Sequence, residues 1–150
     1  MTSKILLING PNLNNLGRRD PGHYGTKTLA EIEAAVVGRA RELGVEVEAF
    51  QSNHEGAIVD FIQQKRPEAA GVIINPGALT GVGYSVLDAL LDAGLPVVEV
   101  HLSNIHAREE FRRRSVFAGA ARGQVSGLGW RGYLYALDYL GAETAGEASG

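Results

Sequence analysis

Short apolar runs alternate with segments of helical periodicity along this chain, and that alternation is the feature that most restricts its fold. Five runs have strand length and are rich in Val and Ile, at residues 4–9, 45–51, 71–75, 97–101 and, more weakly, 123–126. Apolar residues recur at helical spacing in the segments between and after them, 28–43, 55–65, 82–93 and 132–140. Continuously apolar strands joined through helices are typical of a parallel sheet covered on both faces. We therefore predict an α/β fold of the flavodoxin-like, doubly wound type, with a five-stranded parallel sheet in the order 2-1-3-4-5.

Length and composition limit the chain to one domain and to a few classes of function. Its 150 residues suffice for a single domain at 1–150, in which we expect frayed termini at 1–3 and 142–150. A net charge of -3 with mixed signs leaves no broad basic surface for nucleic acid. The chain has no cysteine, and its longest early apolar run, 5–8, is too short to be a signal or a membrane span. We expect a cytoplasmic protein with neither a nucleic-acid partner nor a membrane partner.

Polar side chains follow three of the predicted strands where those strands end, at residues 9–12, 75–77 and 99–115. In a doubly wound sheet, ligands bind beyond the carboxyl ends of the strands, near the switch point between strands 1 and 3. A cleft is therefore predicted at this edge. Asn12 and Asn75 could hold a water or stabilise an oxyanion there, although asparagine is also a common turn residue. The polar residues 52–55, after strand 2, are interpreted instead as a helix cap.

Glu99 and His101 form a candidate pair for proton transfer. They are two residues apart on a predicted strand, so both side chains lie on one face and the carboxylate can orient the imidazole. An oriented imidazole suits a general acid, and a buried structural histidine satisfied by the carboxylate is an equal alternative. His101 and His106 could also bind metal, but no third histidine or carboxylate stands at ligand spacing, so we expect no metal site.

The connection at residues 10–27 is long for a compact domain, and such loops are usually functional or disordered. Its position above the predicted cleft favours a lid. Tyr24 is the only tyrosine of this lid, and Arg18 and Arg19 lie a few residues before it. A guanidinium close to a phenol favours the phenolate, which can abstract a proton. A hydrophobic latch is the alternative role for Tyr24.

The segment after strand 4 combines backbone amides and arginines in a way that suits an anion. Ser103, Asn104 and the amides that follow them precede a predicted helix at 107–113, which makes a nest for a carboxylate or phosphate. Arg108 and Arg112 are predicted to share one face of that helix. The residue pattern alone assigns no firm role to Asn104 or Arg108, nor to the neighbouring His106.

A set of five segments is specific in combination: GPNLNNLG at 10–17, PGHYG at 21–25, QSNHEG at 51–56, IINPG at 73–77 and EVHLSNIHAREEFR at 99–112. From about residue 4 to residue 140, the chain resembles the type II 3-dehydroquinate dehydratases. The resemblance implies an enzyme without a cofactor that removes water from 3-dehydroquinate by anti elimination. The product would be 3-dehydroshikimate, formed through an enolate in the shikimate pathway or in quinate catabolism.

The same resemblance implies a role for each residue at the reacting centre. Tyr24 would be the tyrosinate base that removes the proton next to the ketone, with Arg19 favouring the tyrosinate and closing with the lid. Asn12 would hold a water that stabilises the enolate. His101, oriented by Glu99, would protonate the departing hydroxyl.

Substrate binding and assembly are implied in the same way. Asn75 and Arg112 would bind substrate hydroxyls, while Ser103 and the amides of Leu102 and Ser103 would receive the carboxylate. Asp88 would reach the site of a neighbouring subunit, in a dodecamer built from trimers.

One departure from the family pattern concerns residues 80–83. The family usually has a histidine and a serine where this chain has Gly81 and Gly83, and that histidine binds a substrate hydroxyl. We predict that Thr80, Tyr84 or a water substitutes in part, so that activity persists with a raised KM. The alternative is an altered-specificity or non-catalytic relative that binds a hydroxylated carboxylate without dehydrating it.

Overall fold

Five parallel strands form one sheet in the order β2-β1-β3-β4-β5 in the computed structural model, which describes residues 2–145. The strands are β1 (Lys4–Asn9), β2 (Glu46–Gln51), β3 (Gly71–Asn75), β4 (Val97–His101) and β5 (Gly123–Ser126). The register pairs Asn9 with Asn75 and Ile74 with Glu99, so the polar ends of β1, β3 and β4 lie at one edge of the sheet. The predicted fold class and strand order are confirmed.

Helices cover both faces of this sheet. They are α1 (Pro21–Tyr24), α2 (Leu29–Leu43), α3 (Glu55–Lys65), α4 (Tyr84–Ala93), α5 (Glu110–Arg113) and α6 (Arg131–Thr144), with short 3-10 helices between some of them. Alternate residues of β1 enter opposite layers of the core, because side chains of a strand alternate between faces. Ile5 and Leu7 pack with α2 and α6, whereas Leu6 and Ile8 pack with α3 and α4. Among residues 2–145, no helix is both long and apolar enough to cross a membrane.

The helix ends follow the local sequence signals in some places and tertiary contacts in others. Thr28 caps α2 and forms a capping box with Glu31, whose carboxyl pKa the Thr28 backbone N–H lowers. Helix α4 begins at Tyr84 rather than at residue 82, because the N–H groups of Val82 and Gly83 both bond to the Leu79 carbonyl. Helix α6 continues to Thr144, so residues 142–144, for which fraying was predicted, are helical. The remaining predicted tail, 146–150, and Met1 lie outside the described residues.

The turn before α4 leaves no room for a side chain at Gly83, which yields a stability prediction. A Cβ there would lie 2.9 Å from the Leu79 carbonyl oxygen and 3.1 Å from Cζ of Phe117. We expect Gly83→Ala to lower the free energy of unfolding by about 1–3 kcal/mol, because the packed turn must shift. Urea unfolding measures the change.

Gly81→Ala is the matched control for this variant. Its Cβ would make only an ordinary contact, 3.4 Å from the Arg114 carbonyl oxygen. The control should therefore unfold at the same urea concentration as the parent or slightly above it, since alanine also reduces the entropy of the unfolded chain. Equal losses in both variants would contradict the steric explanation.

Candidate active site

A cavity at the carboxyl edge of the sheet brings together residues of the lid, β3, β4 and the segment after β4. Seven of the ten residues predicted for the site line it: Arg19, Tyr24, Asn75, His101, Leu102, Ser103 and Arg112. Glu99 is fully buried in the middle of β4, two residues before His101, and does not line the cavity itself. Asn12 and Asp88 do not line this cavity. The sheet topology therefore assembles most of the predicted site in one place.

The imidazole of His101 is held by the carboxylate of Glu99. Nε2 of His101 lies 2.5 Å from Oε2 of Glu99, and the two residues are 5% and 0% exposed. Burial acts to raise the pKa of Glu99, but hydrogen bonds from His101 and Ser115 outweigh it and keep that pKa below its usual value. A carboxylate only accepts, so Nε2 carries a proton, and Nδ1 is the nitrogen left for a ligand.

Ser115 completes the support of Glu99, and the sequence analysis did not identify it. Its hydroxyl lies 2.9 and 2.7 Å from the two oxygens of Glu99. The same hydroxyl oxygen accepts the backbone N–H groups of Phe117 and Ala118, which leaves its proton for the carboxylate. Ser115 is separated from Glu99 by 16 residues, so no local spacing marks the contact.

Two guanidinium groups contact the half-buried Tyr24, on α1 of the lid. Cζ of Arg19 lies 3.8 Å from the centroid of the tyrosine ring, a stacked cation–π position. Nη1 of Arg108 donates to the phenol oxygen over 2.7 Å. The charge beside the oxygen thus comes from Arg108, a residue to which the sequence analysis assigned no role.

Arg108 also connects the lid to the segment after β4. Its Nη1 lies 3.4 Å from Oγ of Ser103, and its side chain is only 10% exposed. Its Nε is buried without a hydrogen-bond partner in the described chain. One guanidinium therefore lies between the phenol of Tyr24 and the hydroxyl of Ser103.

The helix predicted at 107–113 is confirmed only for residues 110–113. The segment forms a 3-10 turn at Ile105–Ala107 and then α5, with Arg108 in an extended conformation between them. Asn104 caps the start of the 3-10 turn by accepting the N–H of His106, and the turn ends at Arg108, where the backbone becomes extended. Arg108 and Arg112 line the cavity from different elements rather than from one helix face.

The connection after β4 is anchored to the neighbouring edge strand. The hydroxyl of Ser126, on β5, donates to the Ser103 carbonyl over 3.2 Å and accepts the N–H of Ile105 over 3.3 Å. Arg112, a third exposed, is oriented by a 3.0 Å bond from its Nε to Glu109. Ser103 and Arg112 both line the cavity, and a hydroxyl together with a cation suits a carboxylate.

The amide of Asn75 is held at both ends. Its Oδ1 accepts the backbone N–H of Gly77 over 3.1 Å, and its Nδ2 donates to the hydroxyl of Tyr133 over 2.9 Å. The side chain is 3% exposed and lines the cavity. Asn75 is therefore a buried polar group at the cavity wall.

Asn12 is exposed in a left-handed turn, with a φ of 68° that non-glycine residues rarely adopt. Its backbone N–H donates to Oδ1 of Asn53 over 2.9 Å. The interpretation of residues 52–55 as a helix cap is wrong for Asn53, because α3 is preceded by His54, which makes no side-chain cap bond. Asn53 instead stabilises the turn that carries Asn12.

A cluster of side chains that could bind a metal ion is absent from the described residues, 2–145. No group of three or more side chains of the His, Cys, Asp and Glu types is placed to hold a metal there.

The family model described as Dehydroquinase class II matches residues 3–141. The chain belongs to this family. A protein named 3-dehydroquinate dehydratase from Roseiflexus castenholzii is 54% identical over 147 residues, covering 98% of this chain and 93% of that one. A catabolic 3-dehydroquinase 1 from Aspergillus terreus is 52% identical, covering 93% and 92%. The crystal structure of a type II dehydroquinase from Propionibacterium acnes superposes with a TM-score of 0.90 at 42% identity, covering 95% of this chain and 98% of that one.

Within this class II dehydroquinase, the wall of the cavity at residues 80–81 lacks the imidazole expected for the family. Gly81 lines the cavity, and so does Thr80. The hydroxyl proton of Thr80 is already donated to the Gly77 carbonyl over 2.6 Å, so this hydroxyl can only accept from a ligand. Tyr84 is 55% exposed and does not line the cavity. Of the two side chains predicted to substitute, only Thr80 is placed beside the cavity.

Proposed function

We propose that this class II dehydroquinase removes water from 3-dehydroquinate by a cofactor-free anti elimination that passes through an enolate. The names of its relatives support the substrate. The observation that carries the reaction is the presence of a phenol beside a guanidinium and an imidazole beside a carboxylate in one cavity. Together they supply a base and an acid for a reaction that needs both.

The base in this proposal is Tyr24. Its phenolate removes the proton next to the ketone, and the electron pair of the broken C–H bond enters the enolate. The positive charge of Arg108 lies beside the oxygen that acts as the base, to which its Nη1 donates a hydrogen bond. The guanidinium of Arg19 lies over the ring and adds positive charge.

The acid in this proposal is His101. Its Nδ1 gives a proton to the departing hydroxyl, while the enolate re-forms the ketone and the new carbon–carbon double bond. The carboxylate of Glu99 stabilises the imidazolium that this step requires. Electrons are only redistributed within the substrate, so the elimination needs no redox cofactor.

The remaining predicted residues bind substrate in this proposal. Ser103 and the amides of Leu102 and Ser103 receive the carboxylate, and Asn75 and Arg112 bind hydroxyls. Asn12, which does not line the cavity, acts on the enolate through a water that its amide holds.

An ultraviolet assay for the conjugated enone product tests the proposed function directly. We expect absorbance to rise when the purified protein is mixed with 3-dehydroquinate. Failure to form product at high enzyme and substrate concentrations would overturn the proposal. If calorimetry then showed that 3-dehydroquinate still binds, the result would favour the non-catalytic relative, which the glycine at position 81 suggests.

Restoring the imidazole at position 81 is expected to lower KM. A side chain is tolerated there, because a Cβ at Gly81 makes only ordinary contacts. One recovered hydrogen bond to a substrate hydroxyl corresponds to roughly a tenfold change in affinity, so Gly81→His should reduce KM by about tenfold with little change in kcat. Gly81→Ala is the matched control in a steady-state assay. An unchanged KM in Gly81→His would show that the cavity has been rearranged around the glycine.

We propose that the protein assembles in the cytoplasm as a dodecamer of trimers in which Asp88 reaches a neighbouring site. Asp88 is exposed on α4 and does not line the cavity of its own chain. Val82, Tyr84 and Leu91, in and beside the same helix, are exposed apolar side chains that an interface would cover. Light scattering should give a mass about 12 times that of the 15.9 kDa chain. A monomer with full activity would contradict the proposed assembly.

A further inference from the structure

Three buried polar side chains, those of Tyr133, Asn9 and Asn75, form a hydrogen-bonded series between the first turn of α6 and the cavity. Tyr133 is fully buried, and its hydroxyl donates to Oδ1 of Asn9 over 2.6 Å. Nδ2 of Asn75 donates to the same hydroxyl oxygen, and Oδ1 of Asn75 accepts the N–H of Gly77. Of these three side chains, only that of Asn75 lines the cavity. The hydrogen-bonded series thus ends at a residue that is proposed to bind substrate.

The direction of each hydrogen bond in this series is determined by the groups on either side of it. The Gly77 N–H can only donate, so Oδ1 of Asn75 faces it and Nδ2 faces Tyr133. The tyrosine hydroxyl, which accepts from that Nδ2, donates its own hydrogen bond to Oδ1 of Asn9. Burial raises the pKa of Tyr133 above its usual value, so the hydroxyl keeps this proton.

This pattern leaves Asn75 one free amide proton. The first proton on Nδ2 is donated to Tyr133, and the second is available at the cavity wall. Two anchors, Gly77 and Tyr133, fix the plane of the amide and therefore the direction of the second N–H. Removing the tyrosine hydroxyl would leave one anchor and a buried donor without a partner.

We propose that Tyr133 is a positioning residue for substrate binding, which holds the Asn75 amide so that its free N–H donates to an oxygen of the bound substrate. The inference rests on the proposed function, because it assigns a purpose to Asn75 in that site. Tyr133 itself does not touch the substrate. Its contribution is exerted through one amide, and this makes it separable from general support of the fold.

Tyr133→Phe tests the proposal, with Tyr135→Phe on the exposed side of α6 as the matched control. We expect KM to rise about tenfold in Tyr133→Phe with kcat nearly unchanged, because the amide contact is the same in the ground state and the transition state. The affinity for a non-reacting substrate analogue should fall by the same factor. The control should match the parent in both measurements.

The parent enzyme is assayed first, so that two kinds of failure are distinguishable. If the parent forms no enone from 3-dehydroquinate, the proposed function fails. If the parent is active and Tyr133→Phe keeps the parental KM and analogue affinity, the role of Tyr133 is overturned. A fall in kcat with an unchanged KM overturns it as well.

A double-mutant cycle with Asn75→Ala separates positioning from general stability. If Tyr133 acts through Asn75, adding Tyr133→Phe to Asn75→Ala should cause no further rise in KM. Multiplicative effects of the two changes would overturn the proposal. Should Tyr133→Phe fail to fold, Asn9→Leu removes the acceptor that orients the hydroxyl. A raised KM with retained kcat is then expected, and an unchanged KM overturns the inference.

Discussion

Tyr24→Phe is expected to lower kcat by roughly 10² to 10⁴-fold, the usual contribution of a positioned general base. Phenylalanine keeps the ring on which Arg19 stacks, so the lid should still close over the cavity. It loses the oxygen that takes the proton and that Arg108 contacts. Affinity for a substrate analogue should therefore stay close to that of the parent. A steady-state assay and calorimetry with the analogue measure the two quantities.

Two further variants sharpen this test. Tyr135→Phe, on the exposed side of α6, should leave kcat unchanged and controls for the loss of a hydroxyl as such. Arg108→Gln removes the charge beside the phenol but keeps hydrogen-bonding capacity, so it should lower kcat less than Tyr24→Phe does. Comparable turnover in Tyr24→Phe and the parent would refute the assignment of the base.

His101→Ala is expected to cause a loss of similar size, about 10² to 10⁴-fold in kcat, because the departing hydroxyl then leaves without a proton. Glu99→Gln should cost less, since glutamine can still accept from Nε2 although it no longer stabilises the imidazolium. Ser115 would remain as a partner for the amide. Steady-state kinetics at several pH values measures both losses.

The double variant decides whether Glu99 acts only through His101. Residues that act as a unit show strongly non-additive effects, so the combination of His101→Ala with Glu99→Gln should be no slower than His101→Ala alone. The stability of each variant is followed by urea unfolding, because both side chains are buried. A double variant much slower than either single one would contradict the assignment of Glu99 as the orienting group.

The strands and their order are predictable from the sequence because strand and helix periods differ and each run is short. The bounds of β1, β3, β4 and β5 are those that the apolar runs predict, and β2 begins one residue later. The start of α4 was missed, since it depends on bonds from Val82 and Gly83 to one carbonyl rather than on periodicity. Of the helix predicted at 107–113, only residues 110–113 are α-helical, since the backbone of Arg108 is extended between the 3-10 turn and α5.

Residues of the candidate site were predictable where they follow strands, and not where they act across long separations. Asn75 and His101 end neighbouring strands, so the topology alone places them together. The contact of Arg108 with Tyr24 joins residues 84 positions apart, and that of Tyr133 with Asn9 joins residues 124 positions apart. No spacing in the sequence encodes such pairs. They follow from the way the lid and α6 fold back on the edge of the sheet.

The guanidinium of Arg108 lies between the phenol of the lid and the hydroxyl proposed to receive a carboxylate. An anion that binds beside Ser103 therefore competes with the phenol for the same positive charge. Because one guanidinium contacts both groups, a change at Arg108 should alter the affinity for the anion and the rate of proton removal together.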